Sequence, residues 1–302
     1  MKVMSVRVTQ TMLNSNMLRN LSRSMGQMDK LQMQLSSGRL INRPSDDPVI
    51  ASRGIHYRSA LAENEQYQRN ADEAQSWMEL TDKSMDEAGS ILQRVRELVV
   101  YSGNGTLEGS SFEAMAKEIR QIKEQMGTIV NQTMGSRYIF AGTDTQTPPY
   151  DVANGQFVNT NSKEIKLEMS EGVLVPININ PQSVFNFKGI AGTGDNIFQL
   201  LDKMATQLES GQDATSFLGE LDDQMDNFLA ERATLGARMN RIELVQGRLQ
   251  EQELSVNELM SKNEDADVAE VITNLKTQEN VHRAALGAGA QIIQPSLLDF
   301  LR

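Results

Sequence analysis

The chain has 302 residues, a formal net charge of −11, no cysteine and only 5% aromatic residues. An acidic chain lacks the basic field of a general nucleic-acid binder, and few aromatics leave no stacking platform for single strands. Without cysteine there are no disulfides, thiolate zinc sites or cysteine nucleophiles, and no run approaches the roughly 20 apolar residues that span a bilayer.

The length predicts two or three domains. Residues 1–28 carry Lys2, Arg7, Arg19 and Arg23 with no acid. This pattern superficially resembles a transit peptide, but it lacks the apolar core of a secretory signal. It reads as a basic amphipathic helix that faces a partner. Leu18, Leu21, Met25 and Met28 recur in steps of three and four, and Leu35 follows one heptad on, which predicts a first helix over 11–36 ending near Gly38. The stretch Arg43-Pro44-Ser45-Asp46-Asp47-Pro48 breaks it, because proline removes a donor and disfavours helix just before itself.

Ala71, Met78, Met85, Leu92 and Val99 then repeat every seven residues. That pattern, from about 60 to 101, predicts a rod about 60 Å long. Gly103, Gly105 and Gly109 mark a turn, and Phe112, Met115, Ile119, Ile122, Met126 and Ile129 predict a third helix. The texture changes in residues 140–195, which hold four of the seven prolines and the alternating runs Ile165, Leu167, Met169 and Val173, Val175, Ile177. This reads as a β-rich insert with tight turns. Asp195 or Asn196 is placed to cap the helix that follows.

The second helical half is the more regular. Leu221, Phe228, Leu235, Ile242, Leu249 and Val256 lie seven apart without a break. The stripe runs on through Leu259, pauses at Asn263 and resumes as Val268, Ile272, Leu275, Leu286 and Ile293. Such a seam meets another helix. The fold class expected is mainly α with a small β-rich insert: a long antiparallel bundle or coiled coil built from both halves of the chain, the β domain inserted at its distal end. Three parts are expected: 1–45 with 260–302 as a terminal coiled coil, 46–139 with 196–259 as a helical rod, and 140–195 as an outer domain. Residues 1–45 hold seven basic and one acidic residue, a balance of +6, and residues 260–302 hold four and six, a balance of −2. The opposite signs favour pairing of the two ends.

Catalytic chemistry finds no support. Glu279 and His282 form an E-x-x-H step, but a di-iron bundle needs two such motifs with further glutamates. A polar spot that sets helix register is the better reading, and His56 reads as a surface or packing residue. Asp46-Asp47 and Asp265-Ala266-Asp267 lack the glycine and the later glutamate of a calcium loop, so capping is expected there. The three glycines after residue 102 miss the dinucleotide spacing and follow a helix. The 17 methionines fall mostly on seam positions and read as adaptable packing. No enzyme, cofactor or metal site is expected.

Three stretches together resemble the flagellin superfamily. They are Leu35-Ser36-Ser37-Gly38-Arg39-Leu40-Ile41-Asn42 with Asp46-Asp47; Leu92-Gln93-Arg94-Val95-Arg96-Glu97-Leu98 with Asn104-Gly105-Thr106; and Leu235-Gly236-Ala237-Arg238-Met239-Asn240-Arg241-Ile242 with Asp265-Ala266-Asp267. The signature residues on this reading are Ser36, Ser37, Gly38, Arg39, Ile41, Asn42, Asp46, Asp47, Asp265 and Asp267. Filament flagellins usually carry a glycine after the paired aspartates, whereas here Pro44 and Pro48 bracket them. Arg137-Tyr138-Ile139-Phe140-Ala141-Gly142-Thr143, Pro148-Pro149-Tyr150 and the ending Pro295-Ser296-Leu297-Leu298-Asp299-Phe300-Leu301 resemble the subtype that joins hook to filament.

The resemblance implies a structural subunit outside the cell, exported unfolded by the flagellar type III apparatus and assembled into a short tubular zone. Its implied partners are copies of itself, a neighbouring hook-associated junction protein, filament flagellin, and an export chaperone on the C-terminal helices, with no nucleic acid and no membrane insertion. The subunit interface expected is Leu18, Leu21, Met25, Met28, Leu35, Val268, Ile272, Leu275, Leu286 and Ile293. Leu92–Leu98 also resembles the patch by which flagellins engage an innate immune receptor, against the simpler reading of a core helix whose charged face packs against neighbouring subunits. The alternatives are a filament-forming flagellin and a cytoplasmic coiled-coil scaffold.

Overall fold

The computed structural model describes residues 10–104, 109–159, 161–189 and 194–293. The helices are α1 (Gln10–Ser37), α2 (Pro48–Ser102), α3 (Gly109–Val130), α4 (Pro181–Val184), α5 (Ile197–Glu209), α6 (Leu218–Glu264) and α7 (Val268–Ile293). Between α3 and α4 lie three separate antiparallel hairpins: β1 (Thr133–Met134) with β2 (Arg137–Tyr138), β3 (Tyr150–Asp151) with β4 (Gln156–Phe157), and β5 (Lys166–Ser170) with β6 (Val173–Pro176). The mainly helical fold class and the β-rich middle are as the sequence predicts.

The helix boundaries follow from capping. Pro48 opens α2, and the N–H groups of Val49 and Ile50 donate to Asp47 Oδ1 at 2.9 and 3.1 Å. Proline suits that first position because its missing N–H would find no partner there anyway. The helix therefore starts about a dozen residues before its apolar repeat, in a stretch with little periodicity to reveal it. Asp267 caps α7 in the same way, accepting from the N–H groups of Ala269 and Glu270. Asn196 and Gln199 form a reciprocal capping box on α5.

The chain forms two compact units. One combines the stretch up to Ala62 with the stretch from Glu253, and the other is Glu63–Gln252. In the second unit the seam residues Leu221, Phe228, Leu235, Ile242 and Leu249 are all buried. They share one apolar cluster with Met78, Met85, Leu92, Val95 and Val99 of α2 and with Met115, Ile119, Ile122 and Met126 of α3. Burying a side chain of this size contributes about 1.5–3 kcal/mol. Arg232 of α6 reaches both Asp82 at 2.8 Å and Asp86 at 2.7 Å on α2, one helical turn apart, and ties the two helices along their rim.

The β-rich segment docks along the side of this bundle. Phe140 and Phe185 meet edge to face at 5.1 Å, Tyr150 stacks on Phe198 at 4.0 Å, and Phe185 reaches Phe228 of α6 at 6.1 Å. Amide and guanidinium side chains of the helices capture carbonyls of this segment. Gln224 donates to Phe187 and Asp195, Asn227 to Ser183, Arg238 to Asn178, and Asn70 of α2 to Glu168. These anchors lie at 70 on α2 and 224–238 on α6. The rod itself ends elsewhere, where the Ala214 N–H donates to the Ser102 hydroxyl. The insert is thus placed on the flank of the rod and not at the distal end expected, because polar side chains along α2 and α6 hold its carbonyls there.

Tyr150 gives this packing a pH signature. Its hydroxyl is buried without a hydrogen-bond partner, and burial, with Asp202 and Asp151 nearby, pushes the phenol up to about 12. An acid whose folded pKa is raised stabilises the fold fully below its unfolded value, about 10, and that contribution is lost as pH rises through 12. Urea titrations between pH 9 and about 12 should therefore show stability falling in the wild type. Tyr150→Phe should flatten that slope and leave stability near pH 7 within about 1 kcal/mol, since the hydroxyl it removes makes no bond.

Candidate assembly surface

The first unit is built around α1 and α7, which pack against each other. Their shared face is narrow. Leu21 and Met28 are half-buried on α1, while Val271 and Leu275 are buried on α7. Gly289 leaves room for Met17, and a Cβ there would collide with that side chain.

The middle of this face is polar. Ser24 is buried, accepts from Gln278 Nε2 at 2.9 Å and lies 3.3 Å from His282 Nδ1. Glu279 turns instead to Lys276, 3.0 Å away on the same helix. The E-x-x-H step thus splits between a cross-helix contact and a surface ion pair. Among the described residues no group of three or more His, Asp or Glu is placed to hold a metal. His56 is exposed beside Tyr57.

The apolar stripes of the two ends do not all face inward. Leu18, Met25 and Leu35 are exposed on α1, Leu18 by 66%. On α7, Val268, Ile272 and Leu286 are exposed while Leu275 is only 7% exposed. Leu18 and Met25 make one heptad stripe, and Leu21 and Met28 make another. A single partner helix covers only one such stripe. Met12, Leu13 and Val281 are also exposed, although sequence reasoning did not single them out. Their spacing gave no signal, since Met12 and Leu13 lie six and five residues before Leu18 and Val281 lies nine after Ile272, off the rows those residues define. Ile293 closes α7, but its side chain lies outside the described residues, as do Gly105-Thr106 and the motif from Pro295 to Leu301.

The signature residues form the turns that join these helices to α2 and α6. Gly38 ends α1 at φ +70°, where a side chain would be strained, and its N–H donates to the Gln34 carbonyl. The Gly38 carbonyl accepts from the Ala266 N–H at 2.9 Å, and Arg39 pairs with Asp265 in an isolated antiparallel bridge. The Ser37 hydroxyl accepts from the Arg39 N–H. Asp46 accepts from the N–H groups of Arg43 and Asn42, and these bonds, Arg43 first, with Lys30 at 3.6 Å, hold its carboxyl below the usual range. Ile41 borders a small cavity, and Ser36 is exposed. The four signature aspartates are thus caps and turn staples.

In the other unit, Leu92, Val95 and Leu98 are buried, while Arg94 pairs with Glu118 and Glu97, and Arg96 with Asp222. That segment is a core helix whose charged face is engaged by α3 and α6. No described helix is long and apolar enough to cross a membrane.

The family model of the bacterial flagellin N-terminal helical region matches residues 8–145, and that of the C-terminal helical region matches 218–301. The flagellar hook-associated protein 3 of Escherichia coli K12 is 27% identical over 93% of this chain and 94% of its own length. The flagellin of Bacillus subtilis 168 is 24% identical over 98% and 100%. The crystal structure of hook-associated protein 3 from Legionella pneumophila is 16% identical and superposes with a TM-score of 0.60, covering 68% of this chain and 97% of that one. With both terminal helical regions matched and the same helical fold, the chain belongs to the bacterial flagellin family and is a structural component of the extracellular flagellum.

Proposed function

We propose that this chain is the subunit that joins hook to filament, assembling through its terminal helices into a short tubular zone after type III export. The observation that carries the assembly reading is the outward apolar face of the α1–α7 pair, with Leu18, Met25, Ile272 and Leu286 exposed together on two packed helices. Such a face is stabilised when neighbours cover it. Identical subunits stacked along an open helix make heterologous contacts that continue until a different subunit caps them. Of the two relatives compared, the hook-associated protein 3 is the more similar, at 27% against 24% identity, which supports the junction role over that of a filament flagellin.

On this reading residues 1–45 with 260–302 form the inner tube, 46–139 with 196–259 the rod, and 140–195 the outer part. The expected interface residues, Leu18, Leu21, Met25, Met28, Leu35, Val268, Ile272, Leu275, Leu286 and Ile293, then divide by role. Leu21, Met28 and Leu275 hold the pair together; the exposed ones meet neighbours. The partners are further copies, a hook-associated junction protein on one side and filament flagellin on the other. Before export, a chaperone shields the C-terminal helices.

A null strain tests this. It should keep intact hooks, lack filaments and release flagellin monomers into the medium, and the wild-type gene should restore filaments and end the release. Filaments lost with no flagellin released, or filaments of normal length, overturn the junction role.

A further inference from the structure

Glu264, the last residue of α6, has 4% exposure and is the buried carboxylate among the described residues, the other acids there being at least partly exposed. Its Oε2 lies 2.8 Å from Arg58 Nη1 and 3.9 Å from Arg39 Nη1. Its Oε1 is buried without a hydrogen-bond partner and rests on the backbone of α2 at Gly54, where any Cβ would overlap it. A glycine inside a helix loses about 1 kcal/mol of helix propensity relative to alanine, so the bare backbone is here for the carboxylate.

The backbone of the same residue is engaged too. The Glu264 carbonyl accepts from the Leu40 N–H at 2.6 Å, and the Leu40 carbonyl accepts from Gln34 Nε2 at 2.6 Å. One residue earlier, Asn263 Nδ2 donates to the Ile50 carbonyl at 3.0 Å. Little apolar packing supports this crossing. The loop after α1 borders a cavity of about 110 Å³, and of the apolar residues around it only Ala51 is buried. Polar contacts therefore hold the segment after α1 to the turn between α6 and α7, and Glu264 makes three of them, to Leu40, Arg39 and Arg58.

We infer that the Glu264 carboxylate, seated on Gly54 and gripped by Arg58, is a latch that fixes the register of α1 on α7 within a single subunit, before any neighbour covers the pair. With Gly38 bonded to Ala266 at one end, Ser24 arrives opposite Gln278 and His282 further along. The pair is then ordered from the latch outward, and its protection declines toward the termini.

Hydrogen exchange on the free subunit tests this, and because no assembly is involved the outcome is separate from the junction reading. In the wild type, amides of 38–42 and 264–272 should exchange more slowly than those of 12–20 and 284–290. Glu264→Ala should speed exchange in those two turns by about tenfold or more while 91–99 stay unchanged, since it leaves Arg58 without its charged acceptor. Should that variant not fold, Glu264→Gln keeps the shape and should speed the same turns by a smaller factor. Gly54→Ala separates the latch from ordinary helix propensity. A latch predicts faster exchange in both turns; propensity alone predicts slower exchange over 48–58 and no change at 264–272. The latter result, or exchange in the turns within about twofold of wild type in the foldable Glu264 variant, overturns the inference.

Discussion

Leu286→Asp should leave the isolated subunit within about 0.5 kcal/mol of wild-type stability and still abolish filament attachment. The side chain is 49% exposed on the outward face of α7, so the free protein gives up little packing there. In an assembly that buries this face, the same carboxylate must be desolvated against apolar neighbours, which costs several kcal/mol per contact. Leu18→Asp on α1 should behave alike. Leu275→Asp is the contrast. It places a charge on the buried side of the α1–α7 pair and should loosen that pair itself, by about 2–5 kcal/mol, before assembly is reached. Circular dichroism and hydrogen exchange on free subunits, set beside filament counts in cells complemented with each variant, separate the two classes. Normal filaments in the Leu286→Asp strain would sink the outer-face assignment. A Leu275→Asp subunit whose α1–α7 amides exchange at the wild-type rate would sink the inner-face one.

How legible this was in the sequence depended on how many sides of each helix are covered. The seam from Leu221 to Leu249 was plain because one partner surface buries every seventh residue over five repeats. The terminal stripes looked like a single seam because Leu18 and Met25 repeat with the same period as Leu21 and Met28; periodicity reports a face, not what covers it. Residues 48–59 concealed a helix, since Asp47 and Pro48 start it while Ser52, Arg53 and Gly54 carry no stripe. In the insert, the β5–β6 hairpin was readable from its alternation, but the other strands have two residues each, too few for any period. Its docking through Gln224, Asn227 and Arg238 was not readable at all. Those side chains reach carbonyls that are 29 to 60 residues away in sequence, and a carbonyl carries no side-chain identity.

The largest loss of stability in the Glu63–Gln252 unit is expected from Phe228→Ala. The Phe228 ring is buried where three parts of the fold meet: the α6 seam, Phe185 of the β-rich segment at 6.1 Å, and α2 at Gly89. Truncation removes the aromatic contact and leaves a cavity that neither helix can close, a loss of about 3–5 kcal/mol. Gly89→Ala should do the reverse. Its Cβ would sit 3.7 Å from the Phe228 ring, an ordinary contact, and alanine in a helix interior is favoured by about 0.5–1 kcal/mol. Trp77, the only tryptophan and fully buried in the same cluster, reports both in urea titrations. A loss below about 1 kcal/mol for Phe228→Ala would mean that the insert and the helices do not share one core. The double variant sharpens the point. If Gly89→Ala stabilises chiefly because the new methyl touches the ring, its gain should shrink once the ring is gone; if it acts through helix propensity, the two changes should add within about 0.5 kcal/mol.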